Sequence, residues 1–141
     1  MTKAALTKWY AYAKSPAPAA LGDLLHPDVV FESPVVHTPQ RGRDITAKYL
    51  TSAVAVLNGP TFRYVGEWLS QNGAVIEFET EIEGILINGV DIITFSNDGE
   101  QITRFKVMVR PLKAINLLHR LMGEELMRQA GHAGGASAAR A

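Results

Sequence analysis

Apolar residues recur at three- and four-residue intervals in the first sixty or so positions, at two-residue intervals through the middle, and at helical spacing again near the end. In "TKAALTKWYAYAK", Leu6, Trp9, Tyr10 and Ala13 form one stripe, which predicts a short helix ended by Ser15-Pro16. A second short helix is expected from about Ala17 to Leu25, broken at His26-Pro27-Asp28, before a brief strand over Val29-Val30-Phe31-Glu32. After the loop "SPVVHTPQRG", Asp44 stands where an N-cap would, and Ile45, Tyr49, Ala53 and Val56 keep helical spacing up to Asn58-Gly59-Pro60. From Thr61 the period becomes two. The runs "TFRYVGEWLS", "AVIEFETEIEG", "LINGVDIITFS" and "QITRFKVMVR" predict a meander of antiparallel strands turned at Gln71-Asn72-Gly73, Gly84 and Asn97-Asp98-Gly99. Pro111 suits the first turn of a last helix, where its missing donor is no loss. That helix has a stripe of Leu112, Ile115, Leu118, Met122 and Leu126, widened by Leu117 and Leu121, a surplus that implies cover for a pocket or a partner subunit. Residues 1–128 read as one domain, and the Gly/Ala-rich stretch 129–141 as a disordered tail.

Two strands decide which face is inside. In "VIEFETEIEG", Glu77, Glu79, Glu81 and Glu83 alternate with Ile76, Phe78, Thr80 and Ile82, so the acids should line a solvated outer face shared with Arg63, Arg104 and Lys106. In "GVDIITFSNDGE" the same alternation puts Asp91 on the face of Ile93 and Phe95, the inner one. A carboxyl group turned toward apolar surroundings stays neutral more readily than in water, because desolvation disfavours its charged form.

Composition narrows the class. A chain of 141 residues that is 47% hydrophobic supports one core, and 14 Lys and Arg against 14 Asp and Glu leave no field to hold nucleic acid or an anionic membrane. The N-terminal stretch has no apolar leader core, and no run is long enough to span a bilayer, so a cytoplasmic location is expected. With no cysteine there is no disulfide framework or thiolate nucleophile. Phosphate-loop, dinucleotide and nucleophile-elbow motifs are missing, and His26, His37, His119 and His132 lack metal-ligand spacing. No cofactor and no metal are therefore expected.

The order of elements, the segment "ESPVVHTPQRGRDITAKYL", the strand "GVDIITFSNDGE" and the "FKVMVRPLKAI" entry to the last helix resemble the SnoaL-like family of the nuclear transport factor two-like superfamily, relatives of ketosteroid isomerase and limonene epoxide hydrolase. The resemblance spans roughly residues 3 to 127. It implies an α+β cone: a strongly curved antiparallel sheet wrapped around N-terminal helices, closed by a C-terminal helix and enclosing an apolar cavity. "VDIITF" is similar to the isomerase strand whose aspartate is kept protonated and donates to an oxyanion, a standard example of a carboxylic acid held neutral by an apolar site, and Asp91 falls on that position. The isomerase's general-base carboxylate falls on Ser33 and its oxyanion tyrosine on Trp9, so the full steroid isomerase machinery does not carry over. The acid pair of the epoxide hydrolases is missing too, since Asp98 belongs to a turn.

Two functions follow. One is a cofactor-free isomerase, cyclase or dehydratase acting on a small apolar molecule, with Asp91 and His37 as catalytic groups, or a tyrosine assisting, and Trp9, Tyr49, Trp68, Phe78, Phe95 and Phe105 lining the pocket. The other is a non-catalytic binding or assembly module of the same fold. A homodimer, through the outer sheet face or the last helix, is expected in either case. A cavity above ~300 Å³, with Asp91 and a second titratable group converging on it, would favour chemistry; a filled interior would favour the module.

Overall fold

The computed structural model describes residues 3–133, with side chains through residue 130. Its elements are α1 (Ala4–Lys14), α2 (Pro18–Leu24), β1 (Leu25–Glu32), β2 (Gln40–Arg41), α3 (Arg43–Leu57), β3 (Arg63–Leu69), β4 (Gly73–Ile82), β5 (Ile85–Phe95), β6 (Ile102–Arg110) and α4 (Leu112–Ala133). The strands make one curved sheet in the order β2-β1-β6-β5-β4-β3. The meander from β3 to β6 is antiparallel, as its tight turns require. The sheet as a whole is mixed, which corrects the wholly antiparallel expectation: β1 runs parallel to β6. The two strands are far apart in sequence, so a long connection through α3 and the meander can bring β1 alongside in the same direction. Register shifts interrupt the β1–β6, β3–β4 and β5–β6 pairings, and such bulges bend a strand and increase its local twist.

Local details differ from the sequence reading for identifiable reasons. α1 turns Ala5, Leu6, Trp9 and Tyr12 inward, so its stripe is rotated away from Tyr10 and Ala13. α3 has Gly42 at its N-cap, whose φ of 108° suits glycine alone, and Asp44 sits in the first turn and not at the cap. Glu83 leaves the acidic strand face: with φ of 53° it forms, with Gly84 at 77°, a two-residue hairpin loop, and its carboxylate meets Arg120 at 2.6 Å. α4 buries Ala114, Leu117 and Leu118 while Leu112 is exposed, so the leucines read as surplus belong to the core side. α4 also runs through Ala133, into the stretch expected to be a tail; residues from 134 on lie outside the described residues.

The acidic strand face is otherwise as anticipated. Ile76, Phe78 and Thr80 of β4 are buried, while Arg63 pairs with Glu79 at 3.1 Å and Asn88 donates to Glu77 at 2.8 Å on the other side. At this exposure each such pair contributes about 0 to 1 kcal/mol. Two apolar clusters fill the concave side. One gathers α1, α2 and the strands β1 and β6 around Trp9, Phe31 and Phe105; the other gathers α4 against Phe78 and Ile87. Tyr64 and Val107 pack against both. Gly89 makes room for the Phe78 ring, since a Cβ there would lie 2.6 Å from that ring and 2.6 Å from the Met108 carbonyl. No helix among the described residues is long and apolar enough to cross a membrane.

Candidate acid-base and binding site

Asp91 is held by the register of β5. Ile87, Gly89, Asp91, Ile93 and Phe95 all point to the concave side, and Asp91 stands between Ile76 of β4 and Val107 of β6. It is 6% exposed. Ahead of the bulge between Tyr64 and Gly66 on the edge strand β3, simple alternation keeps Phe62 and Tyr64 on the same concave side, so the Tyr64 hydroxyl reaches across β4 and donates to Asp91 Oδ2 at 3.0 Å. Trp9 Nε1, delivered by the inward face of α1, donates to that hydroxyl at 3.0 Å. The result is a directional chain, indole to phenol to carboxyl, ending on the acid.

The three groups border a cavity of about 60 Å³ at the junction of the two apolar clusters. Phe31, Phe62, Phe78 and Phe105 line it together with aliphatic side chains of α3, and Leu118 and Met122 of α4 complete its wall. Desolvation in this setting pushes the Asp91 carboxyl up from 3.8 to about 7, with the Tyr64 hydrogen bond pulling the other way. Burial, then the Asp91 charge, pushes the Tyr64 phenol well above its usual range. Tyr10, whose ring meets Tyr64 edge-on at 5.3 Å, is likewise raised by burial and by its 2.6 Å hydrogen bond to Glu67.

Of the residues singled out from the sequence, Asp91, Trp9, Phe78 and Phe105 meet at this cavity, and four do not. His37 is exposed in the loop after β1, where no strand or helix turns it toward the hollow. Tyr49 is half-buried on α3 and packs on Phe31 at 5.8 Å, outside the cavity lining. Phe95 is buried in the core, beyond the lining, because β5 carries it two inward positions past Asp91. Trp68 is 57% exposed: the bulge shifts β3 by one residue, so Gly66 and Trp68 pair with Glu77 and Val75 on the outer face. Glu32 is also turned outward, to Arg104 at 2.6 Å. Ser33 does line the cavity, its Oγ accepting the Val35 N–H at 3.1 Å. Tyr64 was missed as a site residue. The available signal was the outward Arg63 beside it, which by alternation turns Tyr64 inward, whereas Gly66, a glycine inside a strand, marks the bulge that turns Trp68 out.

Among the described residues no group of three or more His, Asp or Glu side chains is arranged to hold a metal ion. The chain of donors makes one prediction at once. Tyr64→Phe should raise the Asp91 pKa above about 7, because the hydrogen bond that favours the carboxylate is gone. It should also destabilise the fold by about 1–3 kcal/mol by orphaning the Trp9 N–H. Carboxyl ¹³C NMR of the variant and chemical denaturation read the two effects separately.

A curved sheet closed by helices over an apolar hollow, with one buried acid among the described residues, defines a nuclear transport factor two-like cone. The SnoaL-like domain family matches residues 6–105, and the chain belongs to it. A steroid delta-isomerase from Pseudomonas aeruginosa is 31% identical, with 92% of this chain and 91% of that chain covered and a TM-score of 0.77. An uncharacterized protein with a cystatin-like fold from Silicibacter pomeroyi is 26% identical over 87% of this chain and 85% of that one, with a TM-score of 0.79. A protein of unknown function from Mesorhizobium loti, nuclear transport factor two-like, shares the fold at 22% identity and a TM-score of 0.63, over 76% of this chain and 88% of that chain. Among curated proteins none matches.

Proposed function

We propose that the cone binds a small, largely apolar organic molecule and moves a proton on it without a cofactor, in an isomerisation, cyclisation or dehydration, with Asp91 as the acid/base and Tyr64 holding it in place. The observation that carries this reading is a buried carboxyl group, raised to about 7, at the wall of an apolar cavity. A group that titrates near the working pH is matched to giving and taking protons, and an apolar lining with few polar groups suits recognition of a small organic molecule. The likeness to a steroid delta-isomerase supports the reaction class.

A second reading, binding without chemistry, is favoured by two observations. The cavity of about 60 Å³ is well under the roughly 300 Å³ of ordinary ligand pockets, so a larger guest requires its lining to move outward. The position of the isomerase base holds Ser33, whose hydroxyl is tied to the turn. Incubation with a panel of small enolisable ketones in deuterated buffer separates the readings. The catalytic reading expects solvent deuterium in the ketone with the wild type and none with Asp91→Asn. Binding without exchange gives the second reading, and no binding of any apolar fragment contradicts both.

The outer sheet face carries exposed Val65, Trp68 and Met108 between its charges, and Met108 stands opposite Val90 in the ladder. We infer a homodimer through this face. Light scattering should give the mass of two chains, falling to one in Trp68→Glu; a wild-type monomer contradicts the dimer.

A further inference from the structure

Buried carboxyl groups are ordinarily matched by a cation, and Asp91 has none: among the described residues no Lys, Arg or His forms an ion pair with it. The titratable groups on its side of the sheet are Tyr64 from β3 in contact and Tyr10 from α1 further off, both neutral at any ordinary pH, and the exposed Glu67 of β3, two strands away in the same row and bonded to Tyr10. The donors at this end of the cavity are already used, since the Trp9 N–H goes to Tyr64 and the Tyr64 O–H goes to Asp91 Oδ2. Oδ1 takes no hydrogen bond from any described residue. What the cavity offers a guest is therefore an open acceptor without a counter-charge, surrounded by the aromatic rings of Phe31, Phe62, Phe78 and Phe105. Aromatic side chains tolerate an organic cation better than aliphatic ones do, because the ring face carries partial negative charge.

We propose that the ligand of this site is a small amine, bound as an ammonium on a compact apolar body, with its N–H donating to the free oxygen of Asp91; the proposal rests on the ligand-binding reading above. The amine supplies the missing cation, and the aligned Trp9 and Tyr64 donors stabilise the carboxylate that faces it. A ketone of the same shape would need the opposite state, a protonated Asp91 donating to its carbonyl.

Cyclopentylamine, cyclopentanone and methylcyclopentane share a ring and differ in what they present. Calorimetric titration of the intact protein should show the amine binding at least about tenfold tighter than the ketone at pH 8, with affinity rising up to about tenfold per pH unit below pH 7 as Asp91 ionises. Asp91→Asn should lose the amine and keep methylcyclopentane, which shows that the cavity survives the substitution. Tighter binding of the ketone, affinity for the amine that falls as pH rises, or binding of the hydrocarbon alone would overturn the amine proposal and leave the cavity's ligand-binding role standing. Failure of all three to bind overturns that role and the proposal together.

Discussion

Asp91→Asn should flatten the pH dependence of folding stability between about pH 4 and pH 7, where the wild type should lose about 4 kcal/mol. In the unfolded chain the carboxyl ionises near 3.8; in the folded protein burial holds its pKa at about 7. The native state therefore binds the proton more tightly. Its advantage is complete below the unfolded value and disappears as pH rises through the folded one, leaving the wild type at its least stable above neutrality. Asparagine keeps the shape and an acceptor for the Tyr64 hydroxyl but has no charge to desolvate. Above neutrality the variant should accordingly match or exceed the wild type, and below about pH 4 it should fall short of it. Urea denaturation across the range measures the slope. Identical slopes in the two proteins would mean that the carboxyl group is solvated.

The second large effect concerns the strand beside the acid. Phe105 is almost completely buried; its ring meets Trp9 at 4.7 Å edge-on and Phe31 at 6.3 Å, and it borders the cavity. Phe105→Ala removes most of a large buried side chain at the junction of the two apolar clusters and should lower stability by about 3–5 kcal/mol. Part of that deficit should be recovered by a guest. Because the new space is continuous with the existing hollow of about 60 Å³, benzene or toluene should raise the melting temperature of the variant by more than that of the wild type. A variant that loses less than about 1 kcal/mol and binds no aromatic guest would place Phe105 away from the cavity.

How much of this was written in the sequence depends on the kind of signal. Alternation along β4 and β5 is long and unbroken, so the inward register of Asp91 and the outward row of Glu77 and Glu79 could be read from spacing alone. The same rule failed on β3, where one extra residue at the bulge exchanged the faces and turned Trp68 out while Tyr64 stayed in. Bulges cost one residue and leave little trace beyond a glycine, here Gly66, over which the Trp68 ring lies. Helix faces proved harder still. On α1, Tyr12 and not Tyr10 is the buried tyrosine, because a rotation of one position is decided by the neighbouring strands and by the indole reaching Tyr64. The parallel β1–β6 pairing has no local signature, since it joins segments distant along the chain. The central triad therefore combines one residue legible from spacing, one suggested by family resemblance and one, Tyr64, whose contact with the acid is visible only in three dimensions.

The most direct test is the carboxyl ¹³C resonance of Asp91 followed from about pH 3 to pH 9, with and without a cavity ligand. A midpoint near 7 that moves when the ligand is added is the predicted result. A midpoint near 4, indifferent to any ligand, would contradict the site at its root.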